Sequence, residues 1–256
     1  MVKFANFDGS QGTVVVSGYP GVLQDRHRSV SFWIRTTQEE LATICYWGDD
    51  LTNKEILDGS ESRVRLIGGF IELFGKGSGR KSATKVNDGN FHHVVFTWTA
   101  RDAIFGHEDF QRADVYIDSV LDNGKNFGQG KTVIFPDGTE RSTAAIDTPE
   151  EEILVIGGRP CTTGTGFEEF FQGDLDEFAV YNDVVSSGNV FDIYNSGVPG
   201  VDLLTLAQVP ALQFWYTMGD DPADVVPSGT LPFGTFVDQN PFTARNGVVS
   251  SGVTIS

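Results

Sequence analysis

The residues that could carry acid–base chemistry are carboxylates spaced two apart in the last third of the chain. Asp174 and Asp176 would point to one face of a strand, because side chains alternate along extended backbone. Retaining glycosidases place two carboxyl groups about 5–5.5 Å apart across the scissile bond. The acidic run at residues 150–152 comes just before an apolar segment and is typical of a solvent-exposed segment that leads into a buried strand. The spacing therefore supplies one candidate pair, with no acidic cluster on another predicted strand to face it.

Aromatic residues beside an acidic turn form the second candidate site. Sugar-binding sites combine an aromatic platform with a few polar groups that orient the ligand. Trp47 comes just before the turn Gly48-Asp49-Asp50, so we expect it to reach the rim of the folded domain. We therefore predict a carbohydrate contact formed by Tyr46, Trp47 and Asp49. The other tryptophans are predicted to be core residues: Trp33, Trp98 and Trp215.

The histidines, cysteines and glycine-rich segments carry no recognisable catalytic or metal-binding pattern. His92 and His93 are adjacent and point to opposite faces of a regular strand, so they cannot bind one metal ion together. Cys45 and Cys161 lack metal-ligand spacing; a disulfide and two free thiols are both open, and free thiols are favoured. Residues 75–79 lack the Gly-Lys-Ser/Thr ending of a phosphate-binding loop and are predicted to be a flexible loop. Because no nucleophile–base motif is present either, we predict that the protein is not an enzyme.

These residues are predicted to lie on short strands. The chain of 256 residues contains 20 Phe and 30 Gly against 2 Met, which favours pleated strands joined by tight turns. In residues 30–35 and 42–47, successive side chains are predicted to point to opposite faces of a strand. Residues 91–98 are apolar on both faces, as in a central strand. Gly68-Gly69 between two apolar runs predicts a two-residue hairpin. More than ten such strands predict an all-β sandwich or jelly roll.

One helix and a polar tail complete the predicted architecture. The helix is predicted to start at Ser186 or Ser187, and to end at Gly197 and Pro199. After about residue 200 the chain has too few apolar residues for a core of its own. We therefore predict a main domain at residues 1–200. Residues 201–256 are predicted to be a strand-plus-loop extension that packs on that domain or on a neighbouring subunit.

The charge balance limits the class of partner. The net charge is −17, from 35 acidic and 18 basic residues, so phosphate backbones and anionic membrane surfaces are repelled. We therefore predict neither nucleic-acid nor membrane binding, and the carboxylates remain available for Ca²⁺. The first residues contain no apolar run of the kind found in secretory signal peptides, so none is predicted.

Several segments, in consistent order, carry a resemblance to a known family. These segments are Phe7-Asp8-Gly9-Ser10, Ser31-Phe32-Trp33-Ile34-Arg35, residues 90–98, Asp114-Val115-Tyr116-Ile117-Asp118, Ile156-Gly157-Gly158 and residues 173–182. With them, the chain between residues 3 and 200 resembles the laminin G-like and concanavalin A-like lectin jelly-roll family. The order of the motifs is more specific than any one of them, and Ser119 stands where the family usually has glycine.

The resemblance implies two antiparallel sheets, one concave and one convex, and a structural calcium ion. Relatives hold Ca²⁺ with an aspartate of the last strand and oxygens near the start of the chain. By position these would be Asp176 and the turn Asp8-Gly9, and carboxylate and carbonyl oxygens are the ligands that Ca²⁺ prefers. The Glu-x-Asp-x-x-Glu pattern of glucanases with this fold is absent, which disfavours a glycoside hydrolase.

The tail adds a narrower resemblance. Residues 214–221, 237–238 and 244–247 are similar to segments of tailed-phage structural proteins that carry this jelly roll. The favoured function is therefore a non-enzymatic phage virion surface component, such as a capsid decoration, fibre or tail-associated subunit. Its expected location is the virion, and its expected partners are capsid or tail proteins and copies of itself. The alternative is a carbohydrate-binding or adhesion module that contacts host glycans.

Overall fold

The computed structural model describes most of the chain. The described ranges are residues 3–16, 18–24, 26–48, 61–75, 78–99, 113–127, 132–134, 140–142, 148, 153–161, 165–206, 212–227, 233–240 and 245–256. The strands in chain order are β1 (Ala5–Asp8), β2 (Val14–Val16), β3 (Arg28–Arg35), β4 (Ala42–Gly48), β5 (Glu61–Ile67), β6 (Phe70–Gly75), β7 (Ser78–Lys85), β8 (Phe91–Trp98), β9 (Ala113–Ile117), β10 (Val120–Leu121), β11 (Asn123–Phe127), β12 (Thr132–Ile134), β13 (Glu140–Ser142), β14 (Leu154–Ile156), β15 (Arg159–Pro160), β16 (Phe167–Glu168), β17 (Gln172–Tyr181), β18 (Leu212–Tyr216), β19 (Gly234–Phe236), β20 (Gly247–Val249) and β21 (Val253–Ile255).

These strands form two large antiparallel sheets. The eight-stranded sheet has the order β10-β9-β8-β3-β17-β1-β21, and β18 pairs with the second half of β17. The nine-stranded sheet has the order β11-β7-β6-β5-β4-β14-β2-β20-β19. The strand pairs β12–β13 and β15–β16 form two small ribbons. Because sequence neighbours are often separated within a sheet, the chain crosses repeatedly between the sheets. The predicted all-β, two-sheet jelly-roll sandwich is confirmed.

The main core lies between the inner faces of the two sheets. On β3, Val30, Phe32 and Ile34 alternate into this core, as the sequence pattern predicts. The Phe32 ring stacks on Phe178 of β17, with centroids 5.8 Å apart. The predicted hairpin is also confirmed, because β5 pairs with β6 from Ile67 and Phe70 outwards, and the two glycines between them have φ +60° and +81°. A Cβ at Gly69 would lie 2.2 Å from Asn87 Oδ1.

A second core lies on the outer face of the eight-stranded sheet, under the helix α1 (Ser187–Tyr194). Val190 and Ile193 of α1 pack with Ala179, Tyr181 and residues of neighbouring strands. The Ser186 hydroxyl accepts a hydrogen bond from the Asn189 N–H and caps the helix, as predicted. The helix ends at Tyr194, because the next residue, Asn195, adopts a left-handed conformation with φ 47° and caps it two residues before the predicted glycine. Two single 3₁₀ turns follow, Asn195–Gly197 and Leu203–Thr205.

The tail, residues 201–256, contributes strands to both sheets. β18 and β21 pair with β17 and β1 in the eight-stranded sheet, whereas β20 and β19 extend the nine-stranded sheet beyond β2. Asp238 helps to hold this arrangement, because its carboxylate accepts hydrogen bonds from three backbone N–H groups, those of Trp215, Asn240 and Arg245. The strands after residue 200 therefore pair within their own chain, and the sheets run across the predicted boundary.

Two further sequence expectations concern loops and thiols. Part of the predicted flexible loop is strand, because β6 ends at Gly75 and β7 starts at Ser78. Both cysteines are free thiols, with Cys45 buried and Cys161 partly exposed. Among the described residues, no helix has the length and apolar character needed to cross a membrane.

Candidate functional site

The predicted aromatic platform is not at the surface. The Trp47 and Tyr46 side chains are each 1% exposed, so the prediction that Trp47 reaches a rim is wrong. The Trp47 indole N–H donates to the Val22 carbonyl, and the loop at Gly21 passes directly over the ring. The Tyr46 hydroxyl donates to the Gly48 carbonyl 2.7 Å away. Asp49 lies outside the described residues.

The buried position of Trp47 follows from its strand. β4 lies inside the nine-stranded sheet, between β5 and β14, and every residue of the strand is buried, so both of its faces are covered. The sequence pattern of β4 does not distinguish a rim from an interior strand, because the covering loop at residues 18–24 comes from elsewhere in the chain. The other tryptophans are buried, as predicted: Trp33, Trp98 and Trp215 are 2%, 1% and 6% exposed.

The three residues of the predicted calcium site do not come together. Asp8 pairs with Gln172, so Asp176 lies four positions further along β17, or about 13 Å away along the strand. Two aspartates at that separation cannot share one Ca²⁺, whose oxygen ligands lie at about 2.3–2.6 Å. The residue near the start of the chain that lies opposite Asp176 is Phe4, because Ala5 pairs with Leu175. The described residues contain no group of three or more His, Cys, Asp or Glu arranged to hold a metal ion.

Asp8 instead stabilises its own turn. Its carboxylate accepts hydrogen bonds from the backbone N–H groups of Ser10, Gln11 and Gly12, and Gly9 adopts φ +75°. Partial burial raises the pKa of the Asp8 carboxyl, but these hydrogen bonds outweigh burial, so its pKa is lowered overall. This use of the carboxylate is that of an ordinary turn residue.

Asp176 belongs to a buried acidic pair. A bulge in β17 places Glu177 at φ 50°, and Asp176 and Glu177 are only 1% and 6% exposed. Burial, with the neighbouring charges of Glu177 and Asp220, raises the pKa of Asp176 to about 9. Burial, with Asp220 and Asp202, raises the pKa of Glu177 to about 8, against a hydrogen bond from the Trp215 indole at 2.5 Å. Burial therefore favours the protonated form of both carboxyls in the absence of a cation.

The pair Asp174 and Asp176 does not form an open acid–base site. The Asp174 carboxylate is held by Arg35 and Asn6, at 2.6 and 2.7 Å. The Asp176 carboxyl is sealed from solvent, so a glycosidic oxygen cannot reach it in this structure. The geometry therefore adds no support for a glycoside hydrolase.

Asp174 is part of a surface group that sequence reasoning missed. The Arg35 cluster comprises Phe4, Asn6, Arg35, Phe91 and Asp174, on the outer face of the eight-stranded sheet. Strand register brings the cluster together, because Arg35 of β3 pairs with both Phe91 of β8 and Asp174 of β17, and Asp174 pairs with Asn6 of β1. Alternation alone places Arg35 and Asp174 on outward faces, but no local signal identifies their neighbours.

The side chain of Arg35 is held by three contacts, with two phenylalanine rings and one carboxylate. Its central carbon lies 4.5 Å from the Phe4 ring centroid and 4.6 Å from that of Phe91, and the two rings meet edge to face. Its Nε donates to Asp174, whose other oxygen accepts from the Asn6 amide. The Arg35 side chain is nevertheless 37% exposed, and Phe4, Asn6 and Phe91 are partly exposed. The cluster is therefore a surface group of two rings, a guanidinium and an amide, held in place by the buried carboxylate of Asp174.

The outer face of the nine-stranded sheet carries a second charged group. Arg65 pairs with Glu72 at 2.8 Å, and Arg63 pairs with Glu169 at 2.6 Å. Both guanidinium groups lie over the Phe74 ring. Arg63 is only 5% exposed, so these charges mainly bind one another and the segment that folds over the sheet.

Comparison with known proteins establishes the fold. No family model matches this chain. A segment is 28% identical over 111 residues to neuronal pentraxin-1 of Rattus norvegicus and covers 42% of this chain but only 20% of that relative. Among solved structures, a Bacteroides ovatus protein described as carbohydrate binding superposes with TM-score 0.59 and 16% identity, over 100% of this chain and 60% of that one. A heptameric pentraxin of Limulus polyphemus superposes with TM-score 0.49 and 14% identity, over 99% of this chain and 94% of that one. The protein is a two-sheet antiparallel jelly-roll sandwich, the fold that it shares with the Bacteroides ovatus protein.

Proposed function

We propose that this chain is a carbohydrate-binding module that contacts its saccharide at the Arg35 cluster. The observation that carries the proposal is the arrangement of Arg35 against two adjoining, partly exposed phenylalanine rings, beside the carboxylate of Asp174 and the amide of Asn6. Saccharides present apolar C–H faces and hydroxyl groups, which such rings and planar polar groups can contact together.

The rigidity of the cluster supports this function. Four adjacent strands hold its residues, so binding does not require a loop to become ordered, and the entropic cost of association is low. The similar Bacteroides ovatus protein is described as carbohydrate binding, which agrees with the proposal. The platform is formed by Phe4 and Phe91, in place of the buried Tyr46 and Trp47.

The test is glycan-array screening followed by titration calorimetry on the saccharides that bind. The variant Phe91→Leu keeps the apolar volume at the cluster and removes the ring, and we expect it to weaken binding about tenfold. The matched control is Phe74→Leu, which removes a ring from beneath two arginines on the other sheet. Equal losses in both variants, or no saccharide bound by the wild type, would contradict the proposal.

The virion placement stays a prediction from the resemblance of the tail. None of the similar proteins named above is described as a virion component, and the tail strands pair within their own chain. Assembly with copies of itself is tested by light scattering on the purified protein, with and without a calcium chelator. A trimer or larger assembly supports a structural role, whereas a monomer favours an independent binding module.

A further inference from the structure

We infer that the Arg35 cluster selects saccharides that carry a carboxylate group. This inference rests on the proposed function and specifies its ligand class. It begins from the unused hydrogen-bonding capacity of Arg35. Nε is occupied by Asp174, whereas neither Nη nitrogen has a hydrogen-bond partner in the part of the chain that the structure describes. The four N–H donors of these two nitrogens are therefore available to a ligand.

The contacts that hold Arg35 also orient these donors. The two phenylalanine rings and the Asp174 carboxylate fix the guanidinium carbon and Nε, so the guanidinium cannot rotate freely. A planar, fixed pair of Nη groups matches the two oxygens of a carboxylate, and charge-assisted pairs of this kind are roughly twice as strong as neutral hydrogen bonds. A neutral hydroxyl can occupy only one position of this fork at a time. The cluster therefore favours an acidic sugar over its neutral counterpart.

The charge of the whole chain narrows the ligand further. A net charge of −17 repels densely charged polyanions over long distances. At an ionic strength of 0.15 M the Debye length is about 8 Å, so a single carboxylate in contact with Arg35 is largely screened from the more distant acidic groups. The expected ligand is thus a saccharide with one carboxylate at the binding position and neutral residues beside it, such as a uronic acid within a neutral oligosaccharide.

The experiment compares three matched oligosaccharides by titration calorimetry at 0.15 M salt. They carry at one position galacturonate, its methyl ester or galactose. We expect the acid to bind at least about tenfold more tightly than the ester or the galactose form. Arg35→Lys keeps the positive charge but loses the planar pair of Nη groups, and we expect it to remove most of the preference for the acid. Arg26→Lys is the matched control at an exposed arginine, and thermal melting of both variants checks that they fold.

The outcomes separate this inference from the proposed function. If the three oligosaccharides bind equally well, the carboxylate selectivity is wrong and the carbohydrate-binding function stands. If none of them and no other saccharide binds, both are wrong. If acetate at the same concentration displaces the acidic oligosaccharide, Arg35 is a general carboxylate site, and the saccharide class is wrong. An unchanged preference in Arg35→Lys would assign the selectivity to another part of the surface.

Discussion

The buried carboxyl of Asp176 leads to a prediction whose size depends on pH. In the folded protein its pKa is about 9, against an ordinary value of 3.8, so folding at neutral pH requires this carboxyl to take up a proton. A group whose pKa is raised by folding contributes its stability below the unfolded pKa, and the contribution is lost as pH rises towards the folded pKa. The variant Asp176→Asn does not titrate and should escape this loss.

The magnitude follows from the two pKa values. Between pH 3.8 and pH 7 the wild type loses about 1.4 kcal/mol per pH unit from this group, or about 4 kcal/mol in all. The free energy of unfolding of Asp176→Asn, relative to wild type, should therefore rise by up to about 4 kcal/mol between pH 4 and pH 7. For a chain of this size that is a melting-temperature difference on the order of 10 °C.

The assay is urea and thermal unfolding followed by circular dichroism from pH 4 to pH 8, with a chelator present. The control Asp192→Asn changes an exposed aspartate on α1 and should show no such trend. A stability difference that is constant with pH, or that falls as pH rises, would refute the reasoning. Matched samples with Ca²⁺ added in place of the chelator test the predicted calcium ion. If Ca²⁺ binds at Asp176, it should stabilise the wild type at pH 7 and have no such effect on Asp176→Asn.

Three further predictions concern the turns and the tail. Hydrogen bonds with Asp118 and Asp88 raise the pKa of His92 above 6.5. The stability that His92 contributes should therefore be complete below pH 6.5 and lost as the pH rises through the raised pKa, which unfolding curves of the wild type and His92→Gln check. Gly21→Ala places a Cβ 2.3 Å from the Trp47 ring and should cost about 1–3 kcal/mol more than Gly18→Ala, where a positive φ exists without a contact; equal losses in denaturant unfolding would contradict the packing argument. Asp238→Ala removes the acceptor for three backbone N–H groups and should lower the free energy of unfolding by about 2–4 kcal/mol, measured by urea denaturation, with a loss under 1 kcal/mol contradicting it.

Local sequence patterns predict most of the elements of this fold. Alternation on β3 separates Phe32 from Trp33, and the structure places these residues on the inner and outer faces of one sheet. The Gly68-Gly69 hairpin and the serine-capped helix follow from the residues at the turn and the cap themselves. These features depend on neighbours within a few residues, so the sequence alone determines them.

The candidate sites depend on neighbours that are far apart in the chain. The residues next to Trp47 predict an exposed side chain, yet the loop at Gly21 covers it. The strand register separates Asp8 from Asp176, and neither local segment specifies that register. The Arg35 cluster likewise joins residues from β1, β3, β8 and β17, which only strand order brings side by side. The sequence by itself therefore determined which residues share a face of a strand. The tertiary structure decided which of them meet and which are covered, because pairing between distant strands sets both register and burial.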